Sequence, residues 1–128
     1  MRTNDRMIKL SALAAAILCL AQAGCKENAA APAELPLSQA PQAVEMAFKD
    51  AKPELKIKAI AAIAALKENK ADNALYLLQE LSIQAGLTPR QRETAAGSML
   101  AANSAVQTAA ANGDRQASAL VQYRRMNK

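Results

Sequence analysis

The chain contains no histidine and no tryptophan, a single phenylalanine, two tyrosines and two cysteines. Each shortage removes a class of chemistry. Without histidine there is no Ser–His–Asp or Cys–His arrangement, no histidine acid–base pair and no zinc site built on imidazole. With Phe48, Tyr76 and Tyr123 as the whole aromatic complement, platforms for stacking nucleic-acid bases are ruled out. Glu45, Glu54, Glu68, Glu80 and Glu93 are dispersed, and none opens the Glu-x-x-His pattern of a helical metal site. Solvated helix faces account for them. No serine stands in a Gly-x-Ser-x-Gly turn; Ser98 follows Gly97, but inside a helical pattern that makes both packing choices. No metal, no cofactor and no enzymatic activity is expected.

Long apolar runs are scarce too. The longest, Leu10–Cys25, is shorter than the roughly 20 residues a membrane-spanning helix needs. It follows Arg2, Arg6 and Lys9, set against Asp5 alone, and it ends in small residues. A positive start, an uncharged apolar stretch and a small-residue boundary describe a secretory signal peptide over residues 1–24. Two cleavage positions are open. Ala21-Gln22-Ala23 suits an ordinary signal peptidase cutting before Gly24. Ala23-Gly24-Cys25 instead resembles the lipobox of bacterial lipoproteins, with Gln22 standing where that family usually has an aliphatic residue.

The resemblance implies cleavage just before Cys25, a diacylglycerol on its sulfur and acylation of the new amino group. It also implies an outer-membrane destination facing the periplasm rather than the inner membrane, because Lys26 replaces the aspartate that signals retention in some bacteria. Two or more acyl chains anchor a protein stably where one does not, each buried methylene contributing about 0.8 kcal/mol. Cleavage after Ala23 would instead leave a soluble periplasmic protein. Cys19 departs with the apolar run either way, so the mature chain has no cysteine pair and no internal disulfide.

The formal charge of +5 falls to +3 once Arg2, Arg6, Lys9 and Asp5 are removed. That excess is too small for a nucleic-acid binder. Alanine is abundant and large apolar residues are few, which favours helices with a thin core. Residues 25–40, with Pro32 and Pro36 and no periodicity, read as a flexible Ala/Pro tether behind the cysteine. Leu35 and Leu37 are its candidates for docking on the folded part.

Residues 41–128 read as one all-α domain, a small bundle of four to five antiparallel helices joined by short turns. Val44, Ala47, Phe48 and Ala51 form one stripe over Pro41–Ala51. Pro53 kinks this helix or separates it from the next. In Glu54–Lys70, Leu55, Ala59, Ala62, Ile63 and Leu66 share a side that Ile57, Ile60, Ala61 and Ala64 widen, which predicts more than one neighbouring helix. Asp72 is the expected N-cap of a third helix carrying Ala74, Leu75, Leu78, Leu81 and Ala85, with Gly86 as its stop. Thr88-Pro89-Arg90-Gln91 combines a capping box with proline at the first helical position. From there to Asn112, Ala95, Met99, Ala102, Val106 and Ala109 repeat. Asn112-Gly113-Asp114 is a turn, with Asp114 capping a last helix over Arg115–Met126.

Glu68–Leu81 resembles the second half of a tetratricopeptide unit, with Ala74 at the small-residue position and Leu78 and Leu81 as packing positions. The aromatic signature of that family's first helix is missing and no second copy follows. The resemblance therefore implies at most one degenerate hairpin.

Arg115, Arg124, Arg125 and Lys128 are the candidate contacts for anionic headgroups or polymers. Cations near a helix C-terminus also complement its dipole. The sequence thus predicts an exported, lipid-anchored, non-enzymatic helical module that binds another envelope protein or itself. The alternative is a basic C-terminal helix that binds an anionic membrane or envelope polymer.

Overall fold

The computed structural model describes residues 30–128; Cys25 and the apolar run before it lie outside them. Among the described residues, five α-helices make up the fold and no strand occurs. They are α1 (Ala40–Phe48), α2 (Pro53–Lys67), α3 (Ala71–Ser82), α4 (Pro89–Ala111) and α5 (Arg115–Met126). The all-α bundle read from the sequence is the architecture found, and Pro53 separates two helices rather than bending one.

Local chemistry explains most of the boundaries. Pro53 stands at the first position of α2, where its missing N–H costs no hydrogen bond. The start of α4 is a complete capping box. The Gln91 N–H donates to Thr88 Oγ1 at 3.2 Å, and the Thr88 N–H donates to Gln91 Oε1 at 3.0 Å. Asp114 caps α5 by accepting from the Ala117 N–H at 2.8 Å. Gly113, at φ +90°, makes the turn before it in a conformation open to glycine.

Several boundaries differ from the sequence reading: α1 ends at Phe48 rather than Ala51, and α2 at Lys67 rather than Lys70. Asp72 does not cap α3: the helix begins at Ala71, with Lys70 in the N-cap position and no side-chain cap. Asn69, at φ +56°, turns the chain instead. The stop of α3 comes at Ser82 rather than next to Gly86. Leu87 is buried in the core, and an earlier helix end lets the connecting segment bring it there.

Short links set neighbouring helices antiparallel. α1 packs on α2 and α4, and α3 also packs on α2 and α4, so α2 and α4 occupy opposite corners. α5 packs on the outside of α4. The core holds Val44 and Phe48 of α1, Leu55, Ala59, Ala62 and Leu66 of α2, and Ala74, Leu75, Leu78 and Leu81 of α3. α4 adds Ala95, Ala102 and Val106, and α5 adds only Ala117 and Val121. Pro32–Lys128 forms one compact unit, and all of these core side chains come from it. The Gln91 side chain, itself buried, donates through Nε2 to the Ala47 carbonyl at 3.2 Å and ties α4 to the end of α1.

The segment ahead of α1 is laid on α4. The Leu35 N–H donates to the Gly97 carbonyl at 3.3 Å, and the Leu35 side chain is half-buried. Gly97 permits the approach, because a Cβ there would stand 2.6 Å from the Ala33 carbonyl oxygen. Leu37 is partly exposed, at 37%. On α2 the expected wide stripe divides. Leu55, Ala59, Ala62, Ala65 and Leu66 are buried, Ile63 is half-buried, and Ile57, Ile60, Ala61 and Ala64 face outward. The two neighbours of α2 are met by one side of it alone.

Candidate binding groove

A groove of about 780 Å³ lies between α3, α4 and α5. Its apolar floor includes Leu75, which is buried in α3, and Leu120 and Val121 of α5. The helical period that puts Leu75 inward places Tyr76 one residue on at the rim, and a two-residue step carries Tyr123 out from Val121. The two tyrosines are 60% and 62% exposed, so each ring is presented to solvent at the groove wall. Gln79, Asn103 and Gln107 add amide donors and acceptors.

Charge is concentrated at one end. Arg124, Arg125 and Lys128 all line the groove. Arg124 is held in place, its Nη1 donating to Asn103 Oδ1 of α4 at 2.7 Å. The single carboxylate of the lining, Asp72, is already engaged: Gln116 Nε2 of α5 donates to its Oδ2 at 2.6 Å. That bond joins the first turns of α3 and α5. The three cations also offset the negative end of the α5 dipole, and they leave the mouth of the groove positive.

Of the residues singled out from sequence, Arg124, Arg125 and Lys128 come together here. Arg115 does not. It opens α5, nine residues before Arg124, and at 1.5 Å per residue lies about 13 Å away along the axis. Cys25 lies outside the described residues. The tyrosines and the Asn103 and Asp72 contacts had no signal of their own in the sequence. They depend on how α5 docks against α4, and no local pattern encodes that.

The groove brings together aromatic faces, amides and cations. No group of three or more metal-ligating side chains occurs among the described residues, and no described helix is long and apolar enough to cross a membrane. Ser98 is fully buried in α4 with its hydroxyl unpartnered, and it is not among the groove residues. No known protein family, no characterised protein and no solved structure matches the chain.

Proposed function

We propose that this chain is an exported, lipid-anchored, non-catalytic binding module of the bacterial cell envelope. In this reading the groove between α3, α4 and α5 holds an acidic segment of another envelope protein. One observation carries the binding half: two exposed tyrosines flank an apolar floor whose open end holds Arg124, Arg125 and Lys128. Arginine and tyrosine are the side chains that most often anchor interfaces. A carboxylate-bearing partner would complement the cluster of Arg124, Arg125 and Lys128 at that end. The address half rests on the signal-peptide-like run and the lipobox-like Ala23-Gly24-Cys25.

Each half has its own test. Intact mass of the protein purified from membranes should show two or three acyl chains on a chain that begins at Cys25. An unmodified chain beginning at Gly24 refutes the anchor and leaves a soluble periplasmic module. For the groove, a photoreactive residue at position 123 in living cells should capture one protein through an acidic stretch. Arg125→Glu should abolish the capture. Capture that survives this change refutes the acidic-segment reading.

A further inference from the structure

α2 has an outward side that the bundle does not cover. Ile57, Ile60, Ala61 and Ala64 recur at i, i+3, i+4 and i+7, opposite the buried Leu55, Ala59, Ala62 and Leu66. Ile57 and Ile60 are 69% and 62% exposed. A helix with apolar stripes on two sides ordinarily buries both, yet α2 packs chiefly on α1 and α3 alone. Its uncovered side calls for an occupant.

Charge identifies that occupant. Of the seven lysines within residues 30–128, six fall between Lys49 and Lys70, against Asp50, Glu54 and Glu68 in the same stretch. Lys70 is paired with Glu68 at 2.6 Å, which raises its pKa through the hydrogen bond and then the charge of that carboxylate. Lys56 and Lys67 are exposed and make no ion pair among the described residues. On the helical wheel both stand on the Ile60 flank of the apolar stripe. Two isoleucines with Lys56 and Lys67 along one flank and Glu54 on the other, the lysine stems able to lie along the acyl boundary, match an interfacial helix on a negatively charged bilayer.

Area argues the same way. A stable protein interface buries about 800 Å² on each partner, and a four-residue stripe that is half alanine falls well short of that. A bilayer asks only that the isoleucine tips pass the headgroups while cations stay among the phosphates.

We propose that the outward face of α2 docks on an anionic phospholipid bilayer, with Ile57 and Ile60 inserted and Lys56 and Lys67 on the headgroups. Because α2 and α4 occupy opposite corners and α5 sits beyond α4, the groove then opens away from the lipid. Nothing in the docking depends on Cys25.

The test uses a Pro32–Lys128 fragment, which carries the whole core described above, floated with phosphatidylcholine vesicles with and without phosphatidylglycerol. Binding is expected only with phosphatidylglycerol and should weaken with salt. Ile57→Ser with Ile60→Ser should lower partitioning by about tenfold or more, and Lys56→Glu with Lys67→Glu by a similar factor. Circular dichroism checks that each variant keeps its helices. The chain has no tryptophan, so Ile60→Trp gives an isolated reporter whose emission should shift to the blue on vesicle addition. Several results overturn the proposal: no binding to phosphatidylglycerol vesicles, binding indifferent to the isoleucines, or an unshifted emission from the Ile60→Trp variant. So does a loss that follows Arg124→Glu with Arg125→Glu instead. A dimer seen in sedimentation velocity and abolished by the isoleucine change would assign the face to a second copy and equally overturn it.

Discussion

Replacing Gly97 with alanine sets two opposed effects against each other in a way the structure lets one weigh. Gly97 lies inside α4, where alanine is preferred over glycine by about 0.8–1 kcal/mol. Taken alone, that would raise the melting temperature by about 4–8 °C for a domain of this size. The new Cβ, however, would stand 2.6 Å from the Ala33 carbonyl oxygen and 3.2 Å from Leu35 Cγ. The first contact is with backbone, so the segment ahead of α1 must lift. Lifting forfeits the Leu35–Gly97 hydrogen bond, about 1 kcal/mol, and the partial burial of Leu35, about another 1 kcal/mol. Freed residues regain backbone entropy of about 1 kcal/mol each, which offsets much of that loss. Global stability should therefore move little, by about 1 kcal/mol or less, while the segment itself is released. Cleavage by a glutamate-specific protease after Glu34, followed by mass spectrometry, reads the release directly. Gly97→Ala should be cut several-fold faster than the native chain. A full rise in melting temperature with unchanged cleavage would show that the segment gives way without detaching, and would refute the reasoning.

Three further substitutions test the packing and the groove. Thr88→Ala removes one arm of the capping box at α4 and should cost about 1 kcal/mol in urea unfolding. Phe48→Ala empties a side chain that is 2% exposed between α1 and its neighbours. It should cost about 3–5 kcal/mol, enough to leave the fold marginal by circular dichroism. Gln116→Leu removes the donor to Asp72 and should raise amide exchange through the first turn of α5 while leaving α1–α3 protected, a difference visible residue by residue in nuclear magnetic resonance.

What the sequence disclosed depended on how local each signal was. The capping box at Thr88 and Gln91 and the cap at Asp114 are complete within four residues, and both are found as expected. The stripe Val44–Phe48 and the run Ala74, Leu75, Leu78 and Leu81 were legible because few alternatives share their spacing. Asp72 misled because its carboxylate serves Gln116, 44 positions away, and such a contact leaves no trace nearby. On α2 apolar residues occupy both sides, so periodicity had no means of choosing the buried one. Packing against α1 and α3 chose it. Gly97 carried the subtlest signal. A glycine inside a helix costs stability unless something approaches it, and the visitor, residues 33–35, lies some 60 positions upstream.

The meagre apolar contribution of α5 bears on how the groove behaves in time. With only Ala117 and Val121 inside, and polar links to Asp72 and Asn103 at its two ends, α5 is the element whose detachment exposes least apolar surface. Local opening of such an element requires less free energy than global unfolding. The groove wall that carries Tyr123 and the arginines is thus a semi-independent unit, whose residence against α4 sets how often the groove exists. A ligand bridging Tyr76 and Tyr123 would bind the assembled form alone, so its affinity is scaled by that population. Tightening the α5–α4 contact is then a route to stronger binding.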